Sequence, residues 1–180
     1  MKTKLVLLIS LFLLSAGIIS LLSGNDSEKV EAAVGSQLHV AQWEYIEIFD
    51  DRQKAVAFVS TNDGAEQEVF LEKNWFEWNV KKAFTHEAIE SGKPIHLTFS
   101  SSTYSEEDPV ILIIRTFDEE IKSVDIQTAD GQTTTIEISV AESGPAKGFG
   151  ILETTDDTIY EAEFISKNSD GELLYAMKAN

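Results

Sequence analysis

The stretch His86-Glu87-Ala88-Ile89-Glu90 is the closest approach to a metal-binding pattern in this sequence. On a helix, His86 and Glu90 would lie four residues apart on one face and could both bind zinc, with Glu87 as the base. The stretch is too short for such a helix, because a glycine and a proline follow within a few residues. We therefore predict no metal site, and a single helical turn or a solvated loop over residues 85–90.

Neighbouring carboxylates recur along the chain and raise the question of acid–base catalysis. They lie at Asp50-Asp51, Glu106-Glu107-Asp108, Asp118-Glu119-Glu120 and Asp156-Asp157. Glycoside hydrolysis needs two carboxyl groups about 5–10 Å apart across a cleft, with the pKa of one raised by its surroundings. These groups fall in predicted turns, where water keeps the pKa of a carboxyl group ordinary, and none has the spacing of a calcium loop. We predict solvated turn ends.

Nucleophilic and phosphate-binding motifs are also missing from the sequence. There is no cysteine, which excludes disulfides, thiolate metal sites and cysteine nucleophiles, and no serine lies in a G-x-S-x-G sequence. Gly148-Phe149-Gly150 lacks the third glycine of a dinucleotide-binding loop, so we predict a bend or bulge there. The sequence therefore predicts no catalytic residues and no cofactor. A hydrolase is the least favoured alternative.

The aromatic cluster around Trp75, Phe76 and Trp78 provides the candidate binding residues. In a strand, Trp75 would face one way while Phe76 and Trp78 face the other, so one set is expected in the core and the other outside it. Exposed aromatic rings beside acids can bind sugar rings. Packing against a loop or a second layer is the structural alternative.

The elements that must position these residues are predicted to be strands, because apolar residues recur with a period of two. The strand-like segments are Val40 to Phe49, Lys54 to Ser60, Glu68 to Val80, Ile95 to Ser100, Val110 to Phe117, Ile121 to Thr128, Gln132 to Val140, Gly150 to Glu153, Thr158 to Ser166 and Glu172 to Met177. The segment Glu68 to Val80 is broken near Lys73-Asn74 and could be a pair of strands. Short turns join the segments. We predict an all-β fold, an antiparallel β-sandwich or open barrel of about nine to eleven strands, with the run Val110–Ile114 at its centre.

The N-terminal segment predicts membrane insertion. The run Leu5–Leu22 is uncharged and follows Lys2 and Lys4, so a transmembrane helix with the lysines in the cytoplasm is expected. A cleaved signal peptide is the alternative, with small-residue sites at residues 15–17 or 30–32. We predict a signal anchor or signal peptide over residues 1–24, a polar tether over residues 25–36 and an extracytoplasmic domain over residues 37–180.

Length and charge limit the partners of that domain. The chain has 180 residues, which suits one domain beyond the N-terminal segment. Its 14 Lys and Arg against 31 Asp and Glu give a net charge of −17, and positive and negative residues balance over residues 1–35. The acidic excess therefore lies on the exported domain. Such a surface repels phosphate backbones, so no nucleic-acid partner is expected.

The order of these features resembles small uncharacterised membrane-anchored cell-envelope proteins of low-GC Gram-positive bacteria. The resemblance rests on the lysine-flanked anchor, the tether, the strand ending at Asp50-Asp51, Trp75 and Trp78 near lysines, and a closing hairpin at residues 170–175. It implies a cell-membrane location and a β-rich fold, and it brings no activity.

Together these features predict a single-pass membrane protein whose C-terminal domain lies outside the cytoplasm, or a secreted domain if the N-terminal segment is cleaved. We expect an interaction or sensing module without catalytic activity, with the membrane and another envelope protein or a wall glycan as partners. The alternative is a cell-wall polysaccharide-binding domain that uses Trp75, Phe76 or Trp78.

Overall fold

A computed structural model describes residues 25–49, 51–75, 77–86, 92–101, 104 and 109–179. Within these ranges the elements are α1 (Asp26–Gly35), β1 (Val40–Ile48), β2 (Lys54–Thr61), β3 (Glu66–Asn74), β4 (Glu77–His86), β5 (Ile95–Ser100), β6 (Val110–Thr116), β7 (Ser123–Gln127), β8 (Thr133–Glu137), β9 (Ser139–Val140), β10 (Gly148–Thr154), a 3₁₀ helix (Asp157–Glu161), β11 (Glu163–Lys167) and β12 (Leu173–Lys178). The predicted antiparallel, strand-rich fold is confirmed, with more strands than the nine to eleven expected.

The strands form three four-stranded antiparallel sheets. Sheet A has the order β1-β2-β3-β4, sheet B the order β5-β6-β10-β9, and sheet C the order β12-β11-β7-β8. Sheet A is a simple meander, whereas sheets B and C alternate along the chain. Ile138 alone separates β8 from β9, and its amide donates to Lys122 O at 2.9 Å, so the chain passes directly from sheet C to sheet B.

The layers are stacked in the order α1, sheet A, sheet B, sheet C, with an apolar core in each gap. Strand β6 is packed against a neighbouring sheet on each of its two faces. Its Ile111 and Ile113 pack with Phe58 and Phe70 of sheet A, whereas Leu112 and Ile114 pack against sheet C. A strand that is buried on both faces needs apolar residues at consecutive positions, so the predicted central position of Val110–Ile114 is confirmed.

Helix α1 occupies the stretch where we predicted a polar tether over residues 25–36. Asn25 caps the helix by accepting from the Ser27 amide at 3.3 Å. Val30 and Val34 lie four residues apart on one face and are completely buried against sheet A. The stretch is polar on average because only this narrow stripe touches the core, which is why its composition indicated a tether.

Gly148 and Gly150 belong to the regular part of β10, which pairs with β6 without a register shift, so the predicted bend or bulge is wrong. A Cβ on Gly148 would lie 2.4 Å from Ile138 Cγ2, and one on Gly150 would lie 2.8 Å from Ile136 Cγ2. The glycines therefore allow the strand that leaves sheet C to cross closely over β10.

Three further predictions concern local structure. The segment from Glu68 to Val80 is indeed a strand pair, β3 and β4. The predicted strand over residues 158–166 begins with the 3₁₀ helix, so only its second half is extended. Of the helical turn expected over residues 85–90, Thr85 and His86 end β4, and the remaining four residues lie outside the described ranges.

The predicted membrane segment, residues 1–24, also lies outside the described ranges. In the part of the chain that the structure describes, no helix is long and apolar enough to cross a membrane.

Candidate functional site

The structure places the predicted aromatic binding residues in different environments. Trp75 lies in the turn between β3 and β4, with a φ of +59°, and is 92% exposed. Trp78 is 6% exposed, belongs to the core beneath α1, and donates its Nε1 hydrogen to Asp26 Oδ1 at 3.4 Å. Phe76 lies outside the described ranges. Trp75 and Trp78 are therefore not brought together on one binding surface.

His86, from the metal-like stretch, lies at the end of β4 and contacts an acid of its own sheet. Its Nε2 is 2.8 Å from Glu68 Oε2, while Glu90 lies outside the described ranges. Among the described residues, no group of three or more histidine, aspartate or glutamate side chains is arranged to hold a metal ion.

A buried polar cluster does lie between sheets A and B, and no local sequence pattern indicated it. We call it the inter-sheet polar cluster; it comprises Glu44, Ser60, Glu66, Glu68 and His86 from sheet A and His96, Thr98, Ser100 and Arg115 from sheet B. Its centre is Arg115, which is 1% exposed, donates to Glu66 Oε2, and lies directly opposite His96 in the β5–β6 pair.

The Ser100, Glu68 and His86 side chains form a chain of contacts that resembles a nucleophile triad but has the wrong order. Ser100 Oγ donates to Glu68 Oε1 at 3.3 Å, and His86 meets the other oxygen of the same carboxylate. In a serine hydrolase the histidine lies between the serine and the acid, because it must accept the serine proton. Here the carboxylate is central, so the histidine cannot activate the serine. This arrangement links the sheets instead.

Burial favours the neutral forms of two members of the inter-sheet polar cluster. Burial raises the pKa of Glu44, partly opposed by the hydrogen bond from Ser60 Oγ at 2.7 Å. Burial also lowers the pKa of His96, and the nearby Arg115 charge acts in the same direction. Among the described residues, Glu44 Oε2 and His96 Nδ1 have no hydrogen-bond partner.

An open groove lies at one end of sheets B and C, and we call it the Lys93–Tyr175 groove. It has a volume of about 650 Å³ and is lined by Gly92, Lys93, Pro94, Phe117, Asp118, Glu119, Lys147 and Tyr175. A second cavity of about 350 Å³ shares Glu119 and Lys147 with it, so the two are adjacent.

Strand ends position the groove residues. Lys93 and Pro94 precede β5, Phe117 follows β6, and Lys147 precedes β10. Backbone hydrogen bonds fix these three segments together: the Phe117 amide donates to Pro94 O at 2.9 Å, and the Lys147 amide donates to Thr116 O at 2.7 Å. The groove wall is therefore an extension of sheet B.

The polar and charged groups of the groove differ in whether they have hydrogen-bond or ion-pair partners. Tyr175 donates its hydroxyl hydrogen to Asp118 Oδ2 at 2.7 Å, and the Glu120 amide donates to Asp118 Oδ1 at 2.9 Å. The Glu120 amide and the Tyr175 hydroxyl lower the pKa of Asp118, which keeps it ionised. By contrast, the ammonium groups of Lys93 and Lys147 make no ion pair or hydrogen bond within the described residues.

No family model, curated protein or solved structure shows significant similarity to this chain.

Proposed function

We propose that this chain is a membrane-tethered, extracytoplasmic binding module without catalytic activity, and that the Lys93–Tyr175 groove binds a ligand with a carboxylate or phosphate group. The observation that carries the proposal is the pair of lysines, Lys93 and Lys147, that line one groove without an acid partner in the described part of the chain. In a chain with a net charge of −17, acids are abundant, so two unpaired ammonium groups at one cavity are available for an external anion.

The membrane anchor of this module is the uncharged run Leu5–Leu22 with its flanking lysines. Its length and flanks support a single membrane crossing that leaves the acidic domain outside the cytoplasm. The same charge disfavours a nucleic-acid partner, since the phosphate backbone would meet a field of its own sign.

The other residues of the groove favour a ligand that has apolar surface and hydrogen-bond donors in addition to a negative charge. Phe117, Pro94 and the half-exposed Tyr175 offer apolar surface, and the carboxylates of Asp118 and Glu119 can accept hydrogen bonds from hydroxyl or amino groups. A sugar that carries an acidic group provides all three kinds of contact. An acidic wall glycan is therefore the ligand class that we propose, bound here and not at Trp75.

A titration of residues 25–180 with soluble, carboxylate-bearing fragments of cell-wall glycan tests this function. We expect amide chemical-shift changes in residues that line the groove, and none with a glycan of the same size whose carboxylates have been amidated. Combined Lys93→Gln and Lys147→Gln substitution should weaken binding by about tenfold or more, since a charge-assisted hydrogen bond contributes about 1.5–3 kcal/mol.

Lys178→Gln is the matched control, because Lys178 is an exposed lysine of β12 that does not line the groove. It removes one charge and should leave the affinity unchanged. Equal binding by the double variant and the wild type, or shift changes that avoid the groove, would show that the lysines are not the binding site.

A further inference from the structure

We propose that the exposed Trp75, which follows β3, contacts the lipid bilayer that holds the Leu5–Leu22 segment. The partner is the interfacial layer of that membrane, where lipid headgroups meet acyl chains. This inference rests on the membrane anchor in the proposed function, and it adds a second point of attachment that fixes the orientation of the domain on the membrane.

The start of α1 places this residue beside the point where the chain leaves the membrane. Lys73 Nζ lies 2.7 Å from Asp26 Oδ1, and Trp78 Nε1 donates to the same oxygen at 3.4 Å. Trp75 lies between these two residues in the sequence, within two or three positions of each. The turn and the first residue of α1 are therefore at the same end of sheet A.

The chain between the membrane segment and this end is short. Leu22 is four residues before Asp26, and four residues span at most about 14 Å even when fully extended. Asp26 is fixed to β3 and β4, so the domain cannot move far from the surface. An exposed side chain at this end of sheet A can therefore reach the bilayer interface.

Trp75 is the group that protrudes. It is 92% exposed, whereas Trp43 is only partly exposed and Trp78 is buried, so it is the most exposed of the three tryptophans of the chain. Its left-handed backbone, with a φ of +59°, is uncommon for a bulky residue and shapes the tip of the turn. An indole ring has an apolar body and one N–H donor, which is the chemistry enriched at membrane interfaces.

The neighbouring β1–β2 turn lies at the same end, because the Lys73 amide donates to Gln53 O at 2.7 Å. Its Arg52 is exposed, and so is the adjacent Asp51. The two charges suit a zwitterionic headgroup layer, with a phosphate near the guanidinium and an ammonium near the carboxylate. The membrane used to test the contact should therefore be zwitterionic, since anionic lipid would repel a chain of charge −17.

The test uses the full chain reconstituted into phosphatidylcholine vesicles whose acyl chains carry bromine near the headgroup, a short-range quencher of tryptophan emission. Flotation first measures whether the chain is bound to the vesicles. We expect brominated vesicles to reduce the emission relative to unbrominated ones, and Trp75→Phe to remove most of that reduction. Trp43→Phe is the matched control and should leave the reduction in place.

The outcomes separate the inference from the proposed function. If the chain floats with the vesicles but the wild type and Trp75→Phe are quenched equally, the membrane anchor is supported and the Trp75 contact is overturned. If the chain does not float, both the anchor and the Trp75 contact are overturned. Because Trp75 is exposed and outside the core, loss of folding in Trp75→Phe is not expected, and its circular dichroism spectrum should match that of the wild type.

Discussion

At the level of single residues, the inter-sheet polar cluster makes stability depend on pH. The pKa of Glu44 is raised by burial above its ordinary value of 4.5, so the folded protein keeps a proton that the unfolded chain releases. As pH rises from 4.5 through the folded pKa, the unfolded state is favoured and stability is lost. Glu44 therefore stabilises the fold least at neutral and higher pH.

Removing that carboxyl charge should stabilise the protein near neutral pH. We expect Glu44→Gln to unfold at a higher urea concentration than the wild type at pH 8 and to lose this advantage near pH 4, because glutamine can still accept from Ser60 and does not ionise. Glu77→Gln, at an exposed position of β4, removes the same charge outside the cluster and is the control. A lower midpoint for Glu44→Gln at pH 8 would contradict the conclusion that burial of the Glu44 carboxylate destabilises the fold at that pH.

His96 should have the opposite effect on stability, which is lost as pH falls. Burial lowers its pKa below the ordinary 6.5, so as pH falls below 6.5 the unfolded chain takes up a proton that the folded protein does not, and stability falls. We expect His96→Gln to gain stability relative to the wild type when the pH is lowered from 8 to 5, measured as the difference between their free energies of unfolding. His39→Gln, at an exposed histidine, is the control and should show no such gain. If His96→Gln shows the same difference from the wild type at both pH values, His96 does not cause the loss of stability.

At the level of elements, the chain that links sheets C and B can cross closely over β10 because the glycines of β10 have no side chains. Gly150→Ala places a methyl group 2.8 Å from Ile136 Cγ2, so the neighbour must move. We expect a loss of about 1–3 kcal/mol in the free energy of unfolding, which is typical of overpacking. Gly35→Ala is the control, because nothing lies within 4 Å of its added Cβ, and it should be close to neutral.

Helix α1 should contribute to the stability of sheet A. Val34→Ala removes two buried carbon atoms between the helix and the sheet, so we expect a loss of about 1.5–3 kcal/mol by urea unfolding. Glu31→Ala on the exposed side of the same helix should have little effect. If both substitutions cost the same small amount, the helix does not pack on the sheet in solution.

The strands were predictable from the sequence because burial of a sheet face determines which nearby positions of a strand are apolar. The apolar runs in β2 and β6 indicate strands that are buried on both faces. Helix α1 was not predictable by that route, since its buried stripe is only Val30 and Val34; the sequence Asn25-Asp26, with an N-cap and an acid in the first turn, was the available signal.

The candidate site could not be predicted from local pattern at all. Lys93, Phe117, Lys147 and Tyr175 come from segments next to or within four different strands, and only the pairings of sheets B and C bring them to one groove. The inter-sheet polar cluster has the same origin, since Glu66 and Arg115 meet through the stacking of sheets A and B. Such contacts depend on the order of strands, which a period of two does not encode.

For the whole molecule, the dominant property is the excess of negative charge. A net charge of −17 destabilises the compact state by self-repulsion, and salt screens that repulsion over a Debye length of about 10 Å at 0.1 M. We expect the melting temperature of residues 25–180 to rise as NaCl increases from about 10 mM to about 200 mM. Choline chloride should produce the same rise; a rise with NaCl alone would indicate a bound sodium ion in place of screening.

The different connectivities of the sheets have a consequence for how the chain reaches its native state. Sheet A and α1 form from one uninterrupted stretch, Asp26–His86, in which each strand pairs with its neighbour in sequence. Sheets B and C require pairings between strands that are distant in the sequence, such as β6 with β10, which are separated by β7, β8 and β9. The Ile138 link between β8 and β9 also means that the two sheets form together. Low contact order favours early assembly, so α1 and sheet A should acquire protection from hydrogen exchange first, and β5–β12 should follow as one cooperative unit.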